Sequence, residues 1–570
     1  MSTTTAAAAT SAGDAGEPFS DLRPNGNEVL IRMYGQGLGD CFLLAFPRAQ
    51  PTNAAPTVDP QRPVYVLIDC GVLSATPDPA KRMQQIVADI RRTTRDDPSS
   101  SRGHLDLLIL THEHWDHLSG FIYADAKAEW KNIQIDALWT AWTAADDPEG
   151  LAGILGKLRE QAQNALQAIA ARPVAADDAR AVSVRDLTAF LLDLDPQSRT
   201  FALSTQDGLA FAKNLVDGDH TLCEPGEVRP VPGTDAVAYV LGPPRDWARL
   251  SKMNPDSDAP ETYVHGSGGN GFAIRRLLSE PSSFNAFVTP LLAPPLAAGA
   301  APDAAGAPPR AERDVYSRSF PFDRTFRVPI PAAEREAAAR EGVYPALDAY
   351  FDEINDWRRI DSDWLMAAEG FALWVDNFIN NTSLALAFEL PAARRSERKV
   401  LLFVADAQVG NWLSWDELGE EWRRRDGARP GQRKPDMGDL LARTVFYKVG
   451  HHGSHNATLK ALGVERMRDD GKLTAFVPVS KPVAMTVGWD EMPLPELLDA
   501  LAERSGGRVV FPDGNVWPPA PTAQARRRAQ TRIGVAVSST KLPAKRRKGD
   551  RADTVIEDEV PLWVQIAIDY

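Results

Sequence analysis

The chain has 570 residues, 44% hydrophobic and 25% charged, with 63 Lys and Arg against 77 Asp and Glu, a formal net charge of -14. That length accommodates two to four ordinary domains or one large domain with insertions, and the hydrophobic fraction, with 40 glycines and 44 prolines, excludes a collagen-like or wholly disordered chain. The acidic balance excludes a protein that coats nucleic acid through its overall charge, because phosphate binding needs clustered Lys and Arg.

Residues 1–26 are small, polar and aperiodic, the composition of a disordered leader, with no basic and apolar regions of a secretory signal. Segments 28–35 and 41–46 read as strands around the glycine-rich turn GQGLGD, in which Gly35, Gly37 and Gly39 let the backbone come close to a neighbour. Segment 63–71 is an apolar, β-branched strand that delivers Asp69 at its tip, and 80–95 has helical spacing. Segment 105–120, LDLLILTHEHWDHLSG, repeats the pattern of a buried strand followed by a sharply polar loop.

An amphipathic helix is expected over 148–171 and a further helical stretch over 184–194. A strand follows at 237–244, then a long insertion over 245–370 with an Ala/Pro-rich run. Strands resume at 380–390, 400–407 and 444–456, then at 474–479 and 508–511 around a helix over 493–504. Residues 526–548 carry nine Arg and Lys with no acidic residue, and LWVQIAIDY closes the chain as a strand. The apolar stretch 286–309 is broken by prolines and Asp303, so no membrane span is expected. Three cysteines without a CxxC pair fit a reduced, cytoplasmic protein.

His112, His114, Asp116 and His117 form H-x-H-x-D-H directly after a buried strand. Two alternate histidines can face one metal ion, and the adjacent Asp116 and His117 can face a second about 3.5–4 Å away. Nitrogen and oxygen donors without a nearby cysteine suit zinc, manganese or iron. Asp406, at the end of the apolar run LLFVA, is costly to bury unless paired or coordinated.

THEHWDH resembles the signature of the metallo-β-lactamase superfamily. More narrowly, the ordered blocks GQGLGDCFLL, VLIDCG, LTHEHWDHLSG, NNTSLAL, LLFVADA and YKVGHHGS, spread over residues 33–454, are similar to the soluble hydrolase domain of the ComEC family of DNA-uptake proteins. The resemblance implies an α/β fold, an αββα sandwich of two mixed sheets flanked by helices, here with large insertions. It implies a centre of two divalent metal ions, zinc or manganese, held by His112, His114, Asp116, His117, a bridging Asp406 and either His451 or His452. The other histidine would meet substrate or donate a proton, and Asp116, His451 and His452 become the catalytic candidates.

Asp69 would orient the ligands of the motif loop. Many superfamily members add a histidine between that loop and the bridging aspartate. Only His220 and His265 lie in that interval, and both read as surface residues. Asn380, Asn381 and Ser383 then become candidates to fill or shape that side. Gly453 and Ser454 would either place an amide and a hydroxyl near a bound oxyanion or form a plain turn, and His455 is a weaker candidate. Met492 and Leu494 stand where related domains tend to carry a histidine.

The blocks imply one hydrolase domain over 27–122, 237–244 and 371–520. It is interrupted by a helical insertion over 123–236 and a second over 245–370, and is followed by a basic segment and terminal strand over 521–570. The expected activity is hydrolysis by a metal-activated water, with phosphodiester bonds as substrate, as in a nuclease or phosphodiesterase. Two alternatives stand beside it: an esterase, thioesterase or small phosphoester hydrolase, and a partner-binding regulatory module with a retained or vestigial metal site. The expected partners are nucleic acid or another phosphodiester, and a protein recruited through the insertions.

Overall fold

The computed structural model describes residues 22–49, 62–170 except 75, 77, 98 and 148, 205–263 except 253, 254 and 256–260, and 375–425, 436–486, 492–542 and 560–570. The leader through residue 21, the helical stretch 184–194, most of the insertion 245–370 with His265, and the basic residues 545–548 lie outside them. Leu22, inside the expected leader, is fully buried.

Two mixed sheets carry the fold. Strands β1 (Glu28–Tyr34), β2 (Phe42–Phe46), β3 (Val64–Ile68), β4 (Gly103–Leu105), β5 (Leu107–Leu110), β6 (Ile133–Ala141) and β7 (Val216–Cys223) build most of the first. The second contains β8 (Val228–Pro230), β9 (Val237–Val240), β10 (Leu386–Glu389), β11 (Val400–Phe403), β12 (Thr444–Lys448), β13 (Thr474–Phe476), β14 (Val509–Val510) and β15 (Val516–Trp517). Strands β16 (Ala536–Val537) and β19 (Trp563–Asp569) return to the first sheet, and β17 (Lys541–Leu542) pairs with β18 (Val560–Pro561).

The first sheet runs β16-β19-β1-β2-β3-β5-β6-β4 with β7 also on β6, and the second runs β15-β14-β13-β12-β11-β10-β9-β8. Pairing is parallel where chemistry will gather, β3 with β5 and β11 with β12, and antiparallel at β1–β2–β3 and β9–β10–β11.

Strands β2, β3, β5 and β11 are apolar on both faces, and the two-residue period assigns each side chain to a layer. Phe42, Leu44, Leu401 and Phe403 point between the sheets, where Phe42 and Phe403 meet edge to face at 5.6 Å. Burying side chains of this kind contributes about 1.5–3 kcal/mol each. Leu43 and Leu67 point the other way, onto helix α1 (Pro79–Thr93). That helix buries Met83, Ile86, Val87 and Ile90, an i, i+3, i+4, i+7 stripe, with Pro79 opening it and Arg91 and Arg92 near its carboxyl end. On the outer side of the second sheet Trp412 and Trp415 of the helix Val409–Arg425 join Leu402 and Tyr447.

Two expectations change. Segment 123–236 is not a purely helical insertion: the helix Leu151–Ala170 is there, but β6 and β7 extend the first sheet and β8 edges the second. Strand β7, VDGDHTLC, is polar and largely exposed, so it has no apolar period to reveal it. His220 lies within β7 and is exposed. The terminal segment is not separate either, because β19 pairs with β1 along seven residues. Part of the basic run is the helix Ala523–Ile533, where Arg526 donates to Asn515 and Arg532 to the Gly506 carbonyl. Among the described residues no helix is long and apolar enough to cross a membrane.

Candidate metal centre

Polar residues gather just beyond the carboxyl ends of four strands: Asp69 after β3, residues 111–117 after β5, Asp406 after β11, and His451 and His452 after β12. Ladder hydrogen bonding stops at these ends, and the side chains of the loops face a common space between the sheets. Gly39 and Gly71 allow the loops to close on it: a Cβ on Gly39 would lie 2.5 Å from the carbonyl oxygens of both Asp116 and Gly71. The amide of Asp40 donates to that Asp116 carbonyl at 3.1 Å.

Ligand atoms of Asp116, His117, Asp406 and His452 all lie within 4.8 Å of one another, a group that could hold a metal ion. Nε2 of His117 is 3.2 Å from Asp406 Oδ2 and 3.9 Å from Asp116 Oδ2. Nε2 of His452 is 2.9 Å from Asp116 Oδ2 and 3.9 Å from Asp406 Oδ2.

The opposite ring nitrogens are held by acceptors. His117 Nδ1–H donates to Asp69 Oδ2 at 2.8 Å, and His452 Nδ1–H donates to the Pro478 carbonyl at 2.9 Å. Thr111 Oγ1 donates to Asp69 Oδ2 at 2.6 Å, so it accepts from His112 Nδ1–H at 3.1 Å. Three imidazoles therefore carry their proton on Nδ1 and aim Nε2 inward, the orientation of a supported metal ligand. His112 Nε2 is buried without a hydrogen-bond partner, whereas His117 Nε2 faces Asp406 Oδ2.

Electrostatics divide the histidines. Burial opposes charge on His117 and His452, but the carboxylates around them outweigh it, Asp406 and Asp116 on His117 and the Asp116 hydrogen bond on His452, and both imidazoles are raised. Each has acceptors at both nitrogens, satisfied by an imidazolium or by a cation between Nε2 and the carboxylates. Burial pushes His112 well below the usual range and His114 and His451 to about 4, so these three are neutral. The rings of His112 and His114 lie 4.8 Å apart, and that of His112 lies 4.1 Å from His117.

Of the two histidines after β12, the structure brings His452 into the four-residue group. His451 is 2.8 Å from Ser454 Oγ and 3.1 Å from Gln408 Nε2 through Nδ1, and 3.4 Å from Asn380 Nδ2 through Nε2. Asp69, at φ 54°, accepts from the Thr111 amide as well as from His117. Ser383 Oγ accepts from the Asp406 amide at 3.3 Å. Asn381 faces away from the centre: it donates to the Leu250 and Lys252 carbonyls and accepts from the Asn411 amide. Gly453 and Ser454 form the plain turn, since the Ser454 amide donates to the His451 carbonyl and the Gly453 carbonyl accepts from Leu494. His455 is exposed, and Leu494 packs as a core residue.

Sequence reasoning missed Asp40, Lys448 and Asp376. Lys448 Nζ lies 2.5 Å from Asp40 Oδ2 and 3.2 Å from Asp406 Oδ1, all three buried. The His451 amide also donates to Oδ1, which leaves Asp406 Oδ2 for the centre. Both Asp40 and Lys448 stand inside blocks quoted above, GQGLGDCFLL and YKVGHHGS, and that position was their signal. Asp376 Oδ2 accepts from Asn380 at 3.1 Å, and its Oδ1 lies 3.9 Å from His114 Nε2. Burial, then the charges of Asp116 and Asp406, push its carboxyl up to about 7. Its only sequence signal is the four-residue spacing to Asn380.

The helix Leu151–Ala170 reaches the motif loop through Arg159, which pairs with Glu113 at 2.7 Å, between the two alternate histidines. Two further groups are compact, Asp40, Asp69 and His117 beside the first, and His104, Asp106 and Asp136 away from it. There Arg48 and Arg62 already pair with Asp106, so its charge is balanced within the protein. The chain matches no family model, no curated protein and no solved structure with which it was compared.

Proposed function

We propose that the protein is a metal-dependent hydrolase of the metallo-β-lactamase fold, acting on phosphodiester bonds. The observation that carries this reading is the convergence of Asp116, His117, Asp406 and His452 from both sheets, with the inward nitrogen of His112 left unpartnered. Orphaned buried nitrogen costs about 1–3 kcal/mol, and a cation would satisfy this atom and the facing carboxylates together. The nitrogen and oxygen donor set suits zinc or manganese.

Asp116, His117, Asp406 and His452 would hold one ion, and His112 and His114, with Asp406 shared, a second. Such ions, when bound, supply an activated water nucleophile at neutral pH and polarise the bond under attack. The chain's own residues do the positioning. Asp69, Thr111 and Pro478 fix the imidazole tautomers, and Lys448 restrains Asp406. His451, neutral and tied to Ser454, can orient a substrate oxygen or water by hydrogen bonding. The phosphodiester class is supported by the resemblance of the six sequence blocks and by the Arg-rich helix Ala523–Ile533.

The test is turnover by the full chain loaded with Mn2+ or Zn2+, on bis(p-nitrophenyl) phosphate, single- and double-stranded DNA, and p-nitrophenyl ester and thioester substrates. Phosphodiester cleavage is expected, falling more than about 100-fold in His114→Ala and in Asp116→Ala, beyond the 10–100-fold typical of losing a supporting partner. Ester or thioester turnover alone would reassign the substrate class. Failure to bind metal after reconstitution would refute the hydrolase reading.

A further inference from the structure

We propose that the helix Ala523–Ile533 is a holding surface for the phosphate backbone of a nucleic-acid strand whose cleaved bond lies at the metal centre. This deepens the hydrolase reading and rests on it. The helix carries four arginines among its 11 residues and no acidic residue. No acidic residue occurs anywhere in 514–549, in a chain whose net charge is -14. Arg526, Arg527 and Arg528 are consecutive, and Arg528 and Arg532 repel each other across one helical turn, which destabilises a helix left to itself. Arg527 and Arg528 are exposed, and among the described residues no carboxylate forms an ion pair with any of the four. Asp513 lies near Arg526, but its carboxylate accepts from the amide and the side chain of Asn515. The positive charge is therefore left for a partner outside the described chain.

The placement of the helix says what that partner is. Strands β11, β12, β13 and β14 pair in parallel in that order, so their carboxyl ends share one edge of the second sheet. Along this edge stand Asp406, then His452, then Pro478, then the turn 511–515 into β15. Arg526 donates to Asn515 Oδ1 at 3.0 Å and Gln530 to the Gly514 carbonyl at 2.6 Å, which fixes the arginines to the edge that carries the metal centre. Neighbouring strands are about 4.8 Å apart, so the two steps from β12 to β14 cover about 10 Å. A nucleic-acid strand spaces its charges about 3.4 Å apart, and about three phosphates bridge that span. Guanidinium groups bind phosphate through paired hydrogen bonds. The helix has one large apolar residue, Ile533, and it is buried, so the surface lacks the apolar anchor that a lipid surface requires. A small phosphodiester fills the centre alone, whereas an oligonucleotide of roughly six residues or more also reaches the arginines.

The experiment measures binding of labelled oligodeoxythymidylates to the chelator-stripped full chain by fluorescence anisotropy over a range of salt. Turnover of bis(p-nitrophenyl) phosphate by the metal-loaded chain is measured beside it. Combining Arg526→Gln, Arg527→Gln and Arg528→Gln is expected to weaken a long oligonucleotide at least tenfold. It should also flatten the salt slope by about 2, at about 0.7 per lost phosphate contact, and leave bis(p-nitrophenyl) phosphate turnover within twofold. The unsubstituted chain should gain affinity with oligonucleotide length, and the variant should not. Circular dichroism establishes that the variant folds; if it does not, Arg527→Glu with Arg528→Glu, both at exposed positions, decides the matter. Affinity and salt slope unchanged by the substitutions, turnover of the small substrate lost together with binding, or tighter binding of polyglutamate than of an oligonucleotide would each overturn the assignment and leave the hydrolase reading standing. Oligonucleotide binding through these arginines without turnover of any phosphodiester would overturn the hydrolase reading and the role in holding a substrate with it.

Discussion

Asp69 shows how much one side chain does in this centre. It sits fully buried in the left-handed region, accepts from the Thr111 amide and hydroxyl, and receives the Nδ1 proton of His117. Asn tolerates the same backbone conformation, so Asp69→Asn isolates the hydrogen bonding. One amide group cannot accept everything the carboxylate does, and the variant is expected to lose about 10–100-fold in metal affinity, measured by competition with a chromogenic chelator. Affinity within twofold of the original would refute the orienting role. His451 and His452 are adjacent and both left-handed, at φ 40° and 55°. What separates them is the Pro478 carbonyl beyond one and the Asn380, Gln408 and Ser454 side chains around the other. Nothing in the local string HHGS carries that difference.

At the scale of elements, apolar runs ending in a polar residue made β3, β5, β11 and β12 legible, because buried parallel strands are apolar on both faces. Polar β7 was not, since it is defined by pairing with β6 and not by burial. The edge of this sheet carries a network with a testable pH dependence. His104 on β4 lies 2.8 Å from Asp136 on β6 and 3.2 Å from Asp96 beyond α1. Burial opposes its charge, but the Asp136 hydrogen bond and neighbouring carboxylates prevail and raise it. A raised histidine contributes stability that is full below its unfolded value, about 6.5, and that is lost as pH rises through the higher folded value. Asp136, lowered despite burial by its bond to His104, loses its contribution only as pH falls through its folded value, below the usual carboxylate range. Urea denaturation should therefore show a larger stability gap between the unsubstituted chain and His104→Gln at pH 5.5 than at pH 9. An equal gap at both would mean the bridge carries no charge.

For the whole molecule, the candidate centre draws its residues from both sheets. Asp116 and His117 follow β5 of the first sheet, and Asp406 and His452 follow β11 and β12 of the second. A ligand that binds only the assembled fold stabilises it by about 2.7 kcal/mol at a free concentration one hundred times its dissociation constant. Mn2+ or Zn2+ is accordingly expected to raise the melting temperature by several degrees, reversibly with chelator, and the gain should vanish in Asp116→Ala paired with His452→Ala. A melting temperature indifferent to metal would argue against metal binding at this centre. The sequence by itself determined the alternating apolar runs, the helix Leu151–Ala170 and the H-x-H-x-D-H loop, because these depend on residues within a few positions of each other. The tertiary structure alone decided that β19 lies beside β1, that His452 faces Asp116 across 336 residues of chain, and that Asp376 reaches His114. Those contacts join distant segments, and local periodicity records which face of a strand is buried without recording what it is buried against.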